Sequence, residues 1–231
     1  KPEAVISDLK NASLGQADQR KQADLLASLN SLHLDRLQQD QQLEAGIQAM
    51  EMAFRMQFSV PDVFDVNKES QATRDLYGTS DFAKGCLIAR RLVERGVRFV
   101  QLFDQGWDHH SGVFNNIPRK AKQIDQPVAA LIKDLKQRGL LDQTLIALGS
   151  EFGRTPMLQG KSNNGTGGNV GRDHHKEGFS MMLAGGGVKG GLSYGDTDEL
   201  GYQAVDHPVH LHDINATILR LMGINHEKLT Y

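Results

Sequence analysis

Val97-Arg98-Phe99-Val100-Gln101-Leu102-Phe103, then a helical stretch from Pro118 to Arg138, then Thr144-Leu145-Ile146-Ala147-Leu148-Gly149 are the consecutive pieces on which the architecture turns. The first and last crowd β-branched, aromatic and aliphatic residues into short runs beside glycines, the mark of strands. Between them Ile124, Val128, Leu131, Ile132 and Leu135 form one stripe of an amphipathic helix that Gly139 stops. Strand, helix, strand in so short a span predicts a βαβ unit. The fold class expected is therefore α/β, a mostly parallel sheet flanked by helices.

Outward from this unit the pattern continues. Downstream, Phe179 to Leu183 predicts a third strand, Gly185 to Gly191 a turn-rich segment, and Leu192 to Tyr194 a short strand. A last helix begins at Asp213 as N-cap, with Ile214, Ile218, Leu221 and Met222 apolar and Gly223 closing it. Upstream, Ser80 or Asp81 caps a helix whose face is Phe82, Cys86, Ala89 and Val93 and whose stop is Gly96. The polar stretch from Pro61 to Gly78 is expected to be an irregular connector. From Gln16 to Phe58, Leu25, Leu29, Leu43, Ile47, Met50 and Phe54 at helical spacing predict two helices. The organisation expected is a helical segment and connector over 1–79, part of the same domain, and a sheet portion over 80–231 that carries the site.

Composition narrows the function. The chain has 231 residues, 39% of them apolar and 23% charged, which suits a globular protein. With 26 Lys and Arg against 28 Asp and Glu, no positive field draws it to nucleic acid or anionic lipid. No run approaches the about 18 apolar residues of a membrane span. Cys86 is the single cysteine, so an internal disulfide and a thiolate zinc cage are excluded. The opening Lys1-Pro2-Glu3-Ala4 has neither an initiator Met nor a signal pattern, and predicts a processed or excised piece. Gly160-Lys161-Ser162 lacks the earlier glycine of a phosphate loop, since Thr155 stands there.

Histidine carries the chemistry. Seven of nine fall in Asp108-His109-His110, Asp173-His174-His175 and the stretch from His207 to His212. In an extended chain Asp108 and His110 share a side, a half-site for a divalent cation. An isolated Asp-x-His is more often an aspartate orienting a histidine, and three such clusters weaken that alternative. Glu151, at the end of the second strand, is a cap or a ligand aimed above the sheet. Arg154 is a cation for an oxyanion or a salt-bridge partner of Glu151. If the glycine-rich loop before Arg172 folds back, Asp108, His110, Glu151, Asp173 and His174 make a mixed oxygen and nitrogen shell suited to zinc, manganese, magnesium or calcium. His210 and His212 are expected to be structural, and Trp107 a packed wall beside the site.

Arg90-Arg91-Leu92-Val93-Glu94-Arg95-Gly96-Val97-Arg98-Phe99-Val100, Gly106-Trp107-Asp108-His109-His110, Glu151-Phe152-Gly153-Arg154-Thr155-Pro156, Gly171-Arg172-Asp173-His174-His175 and Leu183-Ala184-Gly185-Gly186-Gly187-Val188-Lys189-Gly190-Gly191 resemble the bacterial family called domain of unknown function 1501. The likeness covers nearly the whole chain. That family is usually grouped with the alkaline phosphatase and sulfatase superfamily, which implies metal-dependent hydrolysis or transfer of phosphate and sulfate esters above a parallel sheet. Ser150-Glu151-Phe152-Gly153 resembles the superfamily's Ser-Asp-His-Gly element, with Glu151 at the acidic ligand and Phe152 where a histidine would ligate. Asp108, His110 and His174 resemble further ligands, and the segment opening at Asp213 resembles a helix whose aspartate is structural. Nothing before Ala83 resembles the strand that supplies the superfamily's nucleophile, so the resemblance implies a C-terminal portion, incomplete at the N-terminus. It also implies a periplasmic or otherwise extracytoplasmic setting.

Two functions follow as expectations. One is a portion of a metal-dependent hydrolase acting on small-molecule or glycan sulfate or phosphate esters, with Arg154 or Arg172 holding the anion. The other is a non-catalytic binding or scaffold module that keeps the same fold.

Overall fold

The structure, a computed structural model, describes residues 15–37, 61–160 and 169–230. By chain contacts it divides into two compact units, Lys1–Ser70 and Gln71–Tyr231.

In the first unit, helix α1 spans Gln16–Leu37. Exposed pairs Lys21–Asp18 and Arg20–Asp24 run along it at helical spacing, each adding a few tenths of a kcal/mol at about 0.2–0.5. Leu25 and Leu29 are exposed one turn apart. The second helix expected there, with Leu43, Ile47, Met50 and Phe54, lies outside the described residues. Residues 61–64 are helical and bury Val63, and a 3-10 turn at Val66–Lys68 follows, its amide at Asn67 donating to the Asp65 carboxylate. The stretch from Pro61 to Gly78 is thus not the irregular connector its polar composition suggested. Local capping by Asp65 organises it.

The second unit opens with three packed helices: α2, Gln71–Tyr77; α3, Asp81–Glu94; and α4, Val113–Gln137. The Ser80 hydroxyl caps α3 by accepting the Ala83 amide at 3.1 Å, and a left-handed Gly96 lies beyond its end, both as expected. Ala83, Cys86, Leu87 and Ala89 of α3 and Ala130 and Leu135 of α4 make the core with Tyr77. Burying a leucine of this kind contributes about 1.5–3 kcal/mol. A buried ionic network crosses the same interface. Asp134 accepts from the Tyr77 hydroxyl at 3.0 Å and from Arg138 Nε at 2.7 Å, and lies 2.9 Å from Arg90 Nε. Glu94 pairs with Arg90 at 2.6 Å and with Arg138 at 2.7 Å. Helix α4 begins five residues before Pro118, at a left-handed Gly112, so Pro118 and Pro127 both lie inside it.

The strands are short and pair antiparallel. Strand β1, Leu145–Leu148, pairs with β4, Met182–Gly185, with Leu145 opposite Gly185. Gly185 has φ +72°, and a Cβ there would meet the Thr144 carbonyl oxygen at 2.4 Å, so only glycine lets the chain turn against β1. Strand β2, Gly153–Arg154, pairs with β3, His174–His175, and β5, Asp196–Thr197, pairs with β6, Ala204–Asp206. Helix α5, Leu211–Leu221, closes the unit.

The fold is therefore mixed helix and strand, but every ladder among the described residues is antiparallel. The parallel βαβ pairing expected of 97–103 and 144–149 is not formed among them. Residues 97–103 lie outside any strand pair, with Phe99 68% and Phe103 78% exposed. The sequence of a strand fixes alternation and local stiffness, whereas a ladder also requires a neighbour at hydrogen-bonding distance. Three smaller shifts accompany this. The third strand starts at Met182 rather than Phe179, 192–194 is not a strand, and α5 is capped by His210 instead of Asp213. His210 Nδ1 accepts the His212 amide at 3.2 Å, while the Asp213 carboxylate accepts the His210 amide at 2.9 Å. This reciprocal cap gives His210 the structural role expected of it.

Candidate metal centre

Three distant stretches of the second unit converge. Asp104 pins the first one to α4, accepting Trp107 Nε1 at 2.8 Å and pairing with the buried Lys120 ammonium at 2.7 Å. Asp108 to His110 follow at once. The β2–β3 register sets Arg154 opposite His174 and so brings the second and third stretches together. The third returns over the first: Gln159 and Gly171 exchange two backbone hydrogen bonds of 2.8 Å, and the Arg172 amide donates to the His109 carbonyl at 3.0 Å. A Cβ on Gly171 would lie 2.0 Å from the His110 carbonyl carbon. Glycine at 171 is what permits this approach.

Asp108, His110 and His174 meet there, one ligand atom from each within 4.8 Å of the others. Asp108 Oδ1 lies 2.9 Å from His110 Nε2 and 3.0 Å from His174 Nε2, and the two Nε2 atoms are 3.3 Å apart. A tetrahedral ion bound at about 2.0–2.1 Å spaces its ligand atoms about 3.3–3.4 Å apart. The trio is within a few tenths of an ångström of that spacing. His110 Nδ1 lies 2.6 Å from the Gln159 side-chain oxygen, which is an acceptor, so this nitrogen donates and leaves the Nε2 lone pair facing the cluster. The three side chains are exposed, which leaves a face of the cluster open to solvent.

Electrostatics favour the ionised carboxylate. His174 first, then the Arg154 guanidinium at 2.6 Å, hold the Asp108 carboxyl at about 2 against an ordinary 3.8. His109, pointing elsewhere, is pushed below its usual value by burial and by nearby Arg154, and its Nε2 is buried without a partner among the described residues.

Arg154 adjoins the cluster, though its donors go to Asp108 and to the carbonyls of Trp107 and Arg172, each carbonyl at 3.3 Å. It positions Asp108. Arg172 donates Nη1 to the Thr155 carbonyl at 2.9 Å. Asp173 accepts the His174 amide at 2.8 Å, and Glu151 is exposed on the bend before β2. Neither joins the three-residue group. Thus three of the five expected ligands come together, with Arg154 beside them. The hydroxyls on these loops are engaged, Ser150 donating to the Phe152 carbonyl at 2.7 Å and Thr155 to that of Met157 at 3.0 Å.

Gln159 and Tyr202 were not anticipated. Gln159 orients His110 across 49 positions, a distance at which a lone amide gives no pattern. The Phe152 ring lies tilted against His174 with ring centroids 4.4 Å apart. A cavity of about 370 Å3 adjoins it, lined by Phe152, His174, His175, Lys176, Glu177 and Tyr202.

The site is thus a carboxylate and two imidazoles on a frame of helices and short antiparallel strands. Residues 2–231 match the family described as protein of unknown function (DUF1501), and the chain belongs to that family. Comparison with curated proteins and with solved structures gives no match. No helix among the described residues is long and apolar enough to cross a membrane.

Proposed function

We propose that this chain carries part of the active centre of a metal-dependent hydrolase of phosphate or sulfate esters, on an alkaline phosphatase-like fold and in an extracytoplasmic setting. The observation that carries the reading is the approach of Asp108 Oδ1, His110 Nε2 and His174 Nε2 to metal-ligand spacing, with an open face. Two imidazoles and one carboxylate favour zinc or manganese over magnesium and calcium, which prefer all-oxygen shells. A divalent cation there supplies Lewis acidity toward an ester oxygen. The chain's own residues do the rest. Gln159 fixes the His110 tautomer, Arg154 keeps Asp108 ionised and aimed, and Arg172, with Nη1 on the Thr155 carbonyl, is the remaining candidate to hold the anion. Glu151 and Asp173 are the remaining candidate ligands.

The second reading is a binding or scaffold module, favoured by the exposure of all three side chains, which weakens the electrostatic stabilisation a hydrolytic centre relies on. Phosphatase and sulfatase assays with the metal-loaded chain and its parent protein separate the two. The enzyme reading predicts turnover that His110→Ala and His174→Ala abolish with folding intact. Inactivity over a broad ester panel in every metal supports the module.

A further inference from the structure

The cavity beside the cluster shares a wall with it. His174 presents Nε2 to Asp108 and His110, while its ring faces Phe152 and lines the cavity. Any ester whose anionic group sits at the cluster therefore has this cavity next to its organic part. At about 370 Å3 it lies near the small end of the about 300–1,000 Å3 typical of ligand pockets, room for one ring and its substituents. Two of its walls are aromatic: Phe152, and Tyr202, whose ring is tilted against that of His175 at a centroid distance of 4.5 Å. Lys176 and Glu177, paired at 2.5 Å, give it a polar rim.

The Tyr202 wall is held in place from three sides. The Asp198 carboxylate accepts the amides of Leu200, Tyr202 and Gln203 at 3.1, 2.7 and 3.2 Å, which fixes the turn carrying Tyr202. The buried His175 places Nε2 2.5 Å from the Tyr202 carbonyl, and the Ala204 amide donates to the Glu177 carbonyl at 3.1 Å. All of these bonds use backbone atoms of the turn, so the Tyr202 ring is held through its main chain. A wall organised before binding loses little freedom on binding.

We propose that this cavity is the subsite for the organic part of the ester and that this part is a six-membered ring, aryl or pyranosyl, packed against Tyr202. The proposal rests on the reading of the cluster as the anchor for the anion. Calorimetry on the zinc-loaded chain with inorganic phosphate, methyl phosphate, phenyl phosphate and glucose 6-phosphate tests it, with phenol and methyl glucoside followed by NMR as neutral rings. A ring ester binds about three- to tenfold tighter than methyl phosphate, as an aromatic contact provides. Tyr202→Ala removes that advantage and leaves methyl phosphate affinity and zinc uptake unchanged; whichever of phenyl phosphate and glucose 6-phosphate shows the larger advantage names the ring. Equal affinity for ring and methyl esters, or an equal loss for both in Tyr202→Ala, overturns the proposal. Tyr202-dependent binding of the neutral rings without any phosphate binding would sustain the cavity and overturn the anchor instead.

Discussion

Single side chains set the tautomers and charges of the site. Gln159 accepts from His110 Nδ1, so Gln159→Leu should weaken zinc binding about 10- to 100-fold, the usual cost of losing an outer-shell partner, with little change in folding. Calorimetric zinc titration checks this, and unchanged affinity would remove Gln159 from the site. For Asp108 the folded-state pKa is depressed, so its ionised contacts are complete above its ordinary 3.8 and are lost as pH falls through about 2. Removing a cationic partner reverses part of that shift. In Arg154→Ala the Asp108 midpoint should rise toward 3.8, measured by carboxyl carbon NMR; an unmoved midpoint would show that Arg154 does not hold it. The sequence exposed Asp108, His110 and His174 because each sits in a dense polar cluster. It could not expose Gln159, whose role exists only after the loop returns.

Elements show where local chemistry is enough and where it is not. Ser80 and Gly96 bound α3 as their residue types require, because caps and left-handed glycines act within one turn. His210 displaced Asp213 as the cap of α5 because a neutral imidazole nitrogen accepts an amide as a carboxylate does, leaving the aspartate to cap in reverse. The 97–103 segment is the opposite case, since its crowded β-branched and aromatic residues are strand-like and no ladder forms among the described residues. Phe99→Ser and Phe103→Ser, at positions 68% and 78% exposed, should change stability by no more than about 0.5 kcal/mol and lower self-association in light scattering. The return of the loop, by contrast, depends on one glycine. Gly171→Ala drives a methyl into the His110 backbone and should cost about 1–3 kcal/mol in urea unfolding and weaken zinc binding together. Loss of neither would mean the approach of the two stretches is not tight.

For the molecule as a whole, the helical part of the second unit and the site answer to different forces. Asp134 pairs with two guanidiniums in the α2–α3–α4 core, so Asp134→Ala should destabilise by about 1–3 kcal/mol in urea unfolding, since the buried Arg90 and the Tyr77 hydroxyl each lose a partner while Glu94 still pairs with both arginines. The cluster itself is exposed and adds little to the fold without an ion. The mix of helix and strand was legible in hydrophobic periodicity and residue type, whereas the sheet direction inferred from strand-helix-strand order was not, because 97–103 forms no ladder among the described residues. On the proposed reading Asp108, His110 and His174 surround one cation. Zinc titration with elemental analysis of the purified chain tests it most directly: one ion per chain, lost in Asp108→Ala, in His110→Ala and in His174→Ala with folding intact, is the predicted result. A wild-type chain that takes up no divalent ion, or variants that keep it at full affinity, would contradict the account.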